Sequence, residues 1–156
     1  KKWKEEGKDI TTESTTLPAS SFEATPDTNL FVSTAYVEAA VGNKIIVDAR
    51  DSAVYTGDVT EPWADKAGHI PTAISMPTVQ IWNEDGTYQS WHELKMNAKQ
   101  ALGNISKNKE IIVYCGVGGY ASARYYVLHA ILKYRNVKIY DGSAQAWALE
   151  NPMELN

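Results

Sequence analysis

Residues 111–121 read IIVYCGVGGYA, a short apolar run followed by a cysteine and a glycine-rich loop. The apolar run indicates a buried strand, and three glycines within the next few residues let the backbone turn tightly. A helix predicted to begin near Ala121 adds its positive end to the N–H groups of the loop. This stretch therefore predicts an anion-binding cradle in which the Cys115 thiol is stabilised as a nucleophilic thiolate.

Two further apolar runs predict strands at residues 45–47 and 137–140, and each ends at or beside an aspartate. Helical stretches are predicted at residues 34–41, 91–102 and 121–134, and Ser90 with Glu93 has the spacing of a capping box. Strands that alternate with helices predict an α/β fold, in which helices cover both faces of a mostly parallel sheet. Ligands in such folds bind at the carboxyl ends of the strands, where Cys115 lies.

The amino-acid composition of the chain argues against several classes of site and partner. The chain has 156 residues, a formal net charge of -4 and one cysteine. A single cysteine excludes an internal disulfide and a multi-thiolate metal site. Lys and Arg are not concentrated on any run, and no stretch reaches the roughly 20 apolar residues of a membrane span. We therefore expect neither nucleic acid nor a membrane as a partner. The compartment is left open, with a slight preference for the cytoplasm.

Three kinds of cysteine chemistry compete at this point. A cysteine-dependent phosphatase needs Cys-x5-Arg to close a ring around phosphate, but that position is Ala121, and Arg124 lies farther along the predicted helix. A thiol protease needs a histidine base. His129 is predicted to be structural and His92 lies in a capped first turn, which leaves His69 as the candidate base. An inert cysteine in a glycine-rich turn is the third interpretation.

The cysteine loop is accompanied by four other short motifs: VDAR at 47–50, GHIP at 68–71, DG at 85–86 and YDGS at 140–143. In order and spacing, over roughly residues 30–156, this set resembles the rhodanese family. The resemblance implies a rhodanese-like α/β fold with a central, mostly parallel sheet and helices on both faces. It also implies ping-pong sulfur transfer through a persulfide on Cys115, with no metal or organic cofactor.

The resemblance also implies roles for individual residues. Cys115 is the nucleophile, and backbone amides that bind the substrate come from Gly116, Val117, Gly118, Gly119 and Tyr120. Arg50 matches a family arginine at a strand end, where it could bind a substrate anion or pair with Asp48 or Asp141. The carboxylate pair is the more usual arrangement for such an arginine. His69 matches a motif that mainly shapes the adjacent loop.

The identity of the sulfur donor is left open. Family members that favour thiosulfate usually carry cations at the positions of Val117 and Val54, so the predicted site has little positive charge. Gly116 resembles the loop of the mercaptopyruvate type, and Ala144 replaces a common tryptophan. We expect a sulfurtransferase that takes sulfur from a small anion such as thiosulfate and passes it to cyanide or a thiol. The alternatives are 3-mercaptopyruvate as donor, a non-catalytic persulfide carrier or interaction module, and a phosphatase-like or inert domain.

Residues 7–29 are rich in Thr, Ser and Pro, as in a linker, and the packed domain is predicted to start near Leu30. The segment from Trp3 to Phe22 resembles the last helix and linker of tandem rhodaneses. Trp3 with Glu6 also parallels Trp147 with Glu150. We therefore expect residues 1–29 to be a linker and the tail of a preceding rhodanese-like domain of the same polypeptide, and residues 30–156 to be the catalytic domain.

Overall fold

Four parallel strands form the centre of the molecule. The computed structural model describes residues 1–25 and 27–155; Pro26 of the predicted linker and Asn156 of the predicted domain lie outside the described residues. The strands are β1 (Ile45–Asp48), β2 (Ile74–Ser75), β3 (Ile111–Tyr114) and β4 (Val137–Ile139), in the order β2-β1-β3-β4. Every pairing is parallel, and Asp48 lies opposite Tyr114 in the register of the two central strands.

The helices connect these strands. They are α1 (Lys2–Glu5), α2 (Thr34–Ala40), α3 (Ser52–Thr56), α4 (Trp91–Leu102), α5 (Gly119–Tyr126) and α6 (Ser143–Glu150). A 3-10 helix covers Thr78–Ile81, and α5 continues into a π-helical turn at Val127–Ile131. The predicted helix at residues 121–134 therefore starts two residues earlier than expected and changes its hydrogen-bond pattern part-way.

The core has two layers, one on each face of the sheet, because successive strand residues point to opposite sides. Ile111 and Val113 pack with α4, α5 and the π turn on one face, whereas Ile112 and Tyr114 pack with α2 and α6 on the other. The prediction of an α/β fold with helices on both faces is confirmed. In this fold the carboxyl ends of β1 and β3 lie side by side at one edge of the core.

The segment before the sheet packs differently. The described residues from 1 to 29 are all exposed, and α1 is the only regular element among them. Packing begins at Leu30, whose carbonyl accepts the N–H of Ile139, while the N–H of Val32 donates to the Ile139 carbonyl. Among the described residues, no helix has the length and apolar character needed to cross a membrane.

Candidate active site

Cys115 follows β3 directly and is buried, with 2% of its surface exposed. Its Sγ accepts a hydrogen bond from the backbone N–H of Gly118 at 3.1 Å. The contact is possible because Gly118 has a φ of 95°, in the left-handed region, where a side chain would be strained. The loop therefore turns back on itself, so that the N–H of Gly118, three residues after Cys115, donates to the sulfur.

The N-terminus of α6 holds the other side of the loop. Ala144 donates its N–H to the carbonyl of Cys115 at 2.9 Å, and Gln145 donates to the carbonyl of Gly116 at 3.1 Å. The N–H of Cys115 donates to Ser143 Oγ at 3.2 Å, and Ser143 itself has a positive φ of 53°. These contacts give hydrogen-bond acceptors to the free N–H groups at the start of α6, and they hold Cys115 in place.

The N–H groups of the early loop stay available. Within the described residues, neither Gly116 nor Val117 has a protein acceptor for its backbone N–H. Two unpaired donors beside a sulfur nucleophile suit an anionic group or the charge that develops during its transfer. The structure thus brings Cys115 together with the loop residues that the sequence singled out.

A cavity of about 220 Å³ lies beside Cys115. Its lining combines the cysteine loop with a second loop between α3 and β2, and consists of Glu61, Trp63, Cys115, Gly116, Val117, Gly119 and Tyr120. Its size suits a small substrate. Glu61 and Trp63 could not be identified from sequence, because neither belongs to a motif and both lie more than 50 residues before the cysteine.

Glu61 lies directly against the cysteine loop. A Cβ placed on Gly116 would lie 2.8 and 2.9 Å from the two carboxylate oxygens of Glu61, so these oxygens occupy the space that a side chain at position 116 would need. Glu61 Oε2 is buried and has no hydrogen-bond partner among the described residues. Burial raises the pKa of Glu61 above its ordinary value, and the guanidinium of Arg50, 3.6 Å away, offsets only part of this effect.

Arg50 belongs to a buried network behind the site. Its guanidinium donates to both carboxylate oxygens of Asp48, with a shortest distance of 2.6 Å, and to the carbonyl of Gly68 at 2.7 Å. Tyr114 also donates its hydroxyl to Asp48 at 2.6 Å. Burial disfavours the charge on Arg50, but the hydrogen bonds to Asp48 raise its pKa, so it stays protonated. Of the partners that the sequence left open, Arg50 contacts Asp48, and it is not among the residues that line the cavity.

The histidines make structural contacts. His69 is buried, stacks on the ring of Tyr55 at 3.8 Å and pairs its Nδ1 with the Tyr55 carbonyl at 2.9 Å. His129 pairs its Nδ1 with the carbonyl of Tyr134 at 3.1 Å. Neither is among the residues that line the cavity at the cysteine.

Arg124 does not close a phosphate-binding ring. It is 1% exposed and donates to the carbonyl of Pro77, the residue that precedes the 3-10 helix. Burial without a carboxylate partner lowers the pKa of Arg124 to about 10. The guanidinium therefore links α5 to its neighbour, and the geometry does not supply the ring of a cysteine-dependent phosphatase.

Comparison with known proteins decides the family. A family model described as a rhodanese-like domain matches residues 33–150, which include both central strands and the cysteine loop. The chain belongs to the rhodanese family. The resemblance seen in the five short motifs and the predicted rhodanese-like fold are both confirmed.

Curated rhodanese relatives extend the match beyond the fold. A protein of Saccharopolyspora erythraea named "Putative thiosulfate sulfurtransferase" is 35% identical over 99% of this chain and 59% of its own length. A protein of Thermus thermophilus named "Sulfur carrier protein TtuD" is 35% identical over 94% of this chain and 55% of its own. The chain thus spans a little over half the length of these relatives, and their names support sulfur transfer as the general chemistry.

Solved structures agree with the rhodanese assignment. The 3-mercaptopyruvate sulfurtransferase SseA of Escherichia coli superposes with a TM-score of 0.74 at 29% identity, over 90% of this chain and 52% of that one. An anaerobic ergothioneine biosynthesis enzyme of Chlorobium limicola superposes with a TM-score of 0.81 at 22% identity, over 99% of this chain and 39% of that one. The second likeness concerns the fold alone.

Proposed function

We propose that this rhodanese domain is a sulfurtransferase that carries sulfur as a persulfide on Cys115. The donor is a small sulfur-containing anion such as thiosulfate, with 3-mercaptopyruvate as the alternative, and the acceptor is cyanide or a thiol. The hydrogen bond from the Gly118 N–H to Cys115 Sγ, at the mouth of the cavity, carries the proposal. A sulfur that receives a backbone hydrogen bond is stabilised as an anion, which is the nucleophilic form.

The proposed reaction has two steps. The Cys115 thiolate attacks the outer sulfur of thiosulfate, the S–S bond of the donor breaks, and sulfite leaves with the bonding pair. The enzyme then holds Cys115–S–S⁻, stabilised by the amides of Gly116, Val117 and Gly118. Cyanide or a thiolate attacks the outer sulfur, the persulfide bond breaks, and the electron pair returns to Sγ. No oxidant or reductant is consumed.

The site roles follow from this scheme. Cys115 is the nucleophile, and the amides of the loop bind the donor anion and the persulfide, including those of Gly119 and Tyr120. Arg50 contributes through its hold on Asp48, which its Nε and Nη2 groups contact, whereas its Nη1 faces Glu61 at 3.6 Å.

Intact mass spectrometry tests the proposal. After incubation with excess thiosulfate, the wild-type chain should gain one sulfur, about 32 Da, and cyanide should remove it. Cys115→Ser should show no gain, whereas Ser122→Ala, in the helix after the loop, serves as a matched control that should. If neither thiosulfate nor 3-mercaptopyruvate adds sulfur to the wild-type chain, the proposed enzymatic function is wrong.

A persulfide carrier is the second candidate, and one relative supports it. The Thermus thermophilus protein is named a sulfur carrier and matches 94% of this chain. In the described part of the chain, the residues that line the cavity include no Lys or Arg, which a fast reaction with free dianions would use. A stable persulfide on Cys115 with slow turnover of small donors would favour the carrier over the enzyme.

We also propose that residues 1–29 are a linker and the tail of a preceding rhodanese-like domain, and that the catalytic domain covers residues 30–156. The exposure of the described residues up to 29 and the greater length of the curated relatives support this division. The gene that encodes this chain should therefore contain a second rhodanese-like domain upstream of Lys1. A full-length reading frame without one would contradict the proposal.

A further inference from the structure

The cavity at Cys115 has an unusual charge for a site that handles anions. In the described part of the chain, Glu61 is the one lining residue that has a carboxylate, and no lining residue is Lys, Arg or His. The Glu61 side chain is only 16% exposed, and among the described residues its Oε2 has the Arg50 guanidinium as an ion-pair partner at 3.6 Å but no hydrogen bond. Such a half-buried carboxylate is incompletely compensated, so a cation that reaches its accessible part from the cavity would be stabilised.

The protein supplies little compensating positive charge. The guanidinium of Arg50 is shared between Asp48, at 2.6 Å, and Glu61, at 3.6 Å, so three charged groups leave a net charge of about one negative unit. A second carboxylate, that of Asp141, lies against the loop from the other side, where a Cβ on Gly118 would be 2.6 Å from Oδ1. This field opposes a second negative charge beside the sulfur.

Aromatic rings complete the cavity wall. Trp63 and Tyr120 both line it and are 48% and 55% exposed, so their rings are accessible to a ligand. A carboxylate combined with the faces of Trp and Tyr rings is the set of groups that binds ammonium ions. The remaining exposed side chain of the loop, Val117, is apolar and adds no charge.

We propose that Glu61, together with Trp63, selects as sulfur acceptor a small thiol that carries an ammonium group. This inference rests on the proposed function and specifies the substrate of its second step. The thiolate of the acceptor attacks the outer sulfur of the Cys115 persulfide while its ammonium group lies against the Glu61 carboxylate, which lines the cavity. The S–S bond to Cys115 breaks, the electron pair stays on Sγ, and the acceptor leaves as its own persulfide. The proton of the acceptor thiol passes to solvent.

Three acceptors of similar size but different charge test this selection. They are cysteamine, 2-mercaptoethanol and mercaptoacetate, which carry a cation, a neutral hydroxyl and an anion. The rate at which each removes the persulfide is measured by intact mass for the wild type, Glu61→Gln and the control Glu84→Gln, an exposed carboxylate on another loop. Dividing each variant rate by the wild-type rate with the same thiol cancels the intrinsic reactivity of that thiol.

Glu61→Gln should slow the reaction with cysteamine about five- to twentyfold and speed that with mercaptoacetate by a similar factor. The rate with 2-mercaptoethanol should change less than about twofold, and Glu84→Gln should leave all three rates unchanged. Trp63→Leu should slow cysteamine more than the other two thiols. An equal change with all three thiols, or no change, in Glu61→Gln would overturn the proposal.

Two further measurements keep the inference separate from the proposed function. In the wild-type chain, rising salt should slow the reaction with cysteamine and speed the reaction with mercaptoacetate. This measurement needs no variant. The free Cys115 thiol can also be modified with ethyl methanethiosulfonates that bear trimethylammonium, hydroxyl or sulfonate groups. The cationic reagent should be favoured, and Glu61→Gln should remove the preference. If no persulfide forms, the proposed function fails, and the outcome with these reagents still decides whether the cavity selects cations.

Discussion

At the scale of single residues, the conformation of Gly118 determines the geometry around the Cys115 sulfur. Its φ of 95° aims the backbone N–H at Cys115 Sγ, 3.1 Å away, and its missing side chain leaves room for Asp141. Neighbouring Gly119 has no such constraint, because a Cβ there would meet nothing within 4 Å and its φ lies outside the left-handed region. The loop conformation therefore requires glycine at position 118 but not at position 119.

Gly118→Ala should lower the free energy of unfolding by about 1–2 kcal/mol, because a side chain in the left-handed region is strained. It should also slow persulfide formation, since relief of the strain moves the N–H away from Sγ. Gly119→Ala, at the first position of α5, should leave the free energy of unfolding nearly unchanged. Urea unfolding and timed intact-mass measurements check both variants. Equal effects of the two substitutions would contradict this account of the loop.

At the scale of elements, α4 shows how a local sequence pattern starts a helix. Ser90 Oγ accepts the N–H of Glu93, and the Glu93 carboxylate accepts the N–H of Ser90 at 2.9 Å, as the predicted capping box requires. The hydrogen bonds from Ser90 lower the pKa of Glu93. Inside the helix, Leu94, Ala98 and Leu102 point into the core at intervals of four residues, so one face of α4 covers the sheet.

Ser90→Ala should lower the free energy of unfolding by about 1 kcal/mol at neutral pH, because one helix donor loses its partner. The pKa of Glu93 is lowered in the folded state, so its contribution is present above the unfolded pKa of about 4.3 and is lost as pH falls through the lower folded value. The difference between wild type and variant should therefore shrink below about pH 4. Urea unfolding at pH 7 and pH 3.5 measures this, with Ser20→Ala in the exposed segment as control. A difference that does not depend on pH would contradict the role of Glu93.

At the scale of the whole molecule, a buried polar network joins parts of the chain that are distant in sequence. Asp48 at the end of β1 receives hydrogen bonds from Arg50 and from Tyr114 at the end of β3. Tyr114 also accepts the N–H of Ile70, and Arg50 donates to Gly68, so the loop before β2 is tied to the same point. The network thereby holds the carboxyl ends of the two central strands at the candidate site.

Arg50→Met should lower the free energy of unfolding by about 3–5 kcal/mol, because it leaves the buried Asp48 carboxylate without its cation. A second change, Asp48→Asn, made in the Arg50→Met background should restore part of this loss, since the uncompensated charge is removed. Chemical unfolding of the single and double variants forms the test. If Arg50→Met instead kept its stability and lost persulfide formation, Arg50 would be a donor-binding residue and the structural account would be wrong.

Sequence alone determined the features that depend on near neighbours along the chain. The apolar runs that become β1, β3 and β4, the capping box of α4 and the glycine-rich turn after Cys115 are each set by a few consecutive residues. Strand periodicity, helix capping and the backbone freedom of glycine each depend on a few consecutive residues, so they can be recognised in the sequence. Short elements escaped prediction, among them β2 and α3, because two to five residues carry too weak a pattern.

Tertiary structure alone decided which distant groups meet. It paired Arg50 with Asp48, placed the Glu61 carboxylate against Gly116, and set the start of α6 on the carbonyls of the cysteine loop. The partners at the loop come from segments 28 to 55 residues away from Cys115 or Gly116 in sequence, and no local pattern encodes such a distance. The candidate nucleophile Cys115 can therefore be identified from the sequence, whereas the charge of the cavity around it is determined only once the chain is folded, because electrostatic interactions depend on separation in space.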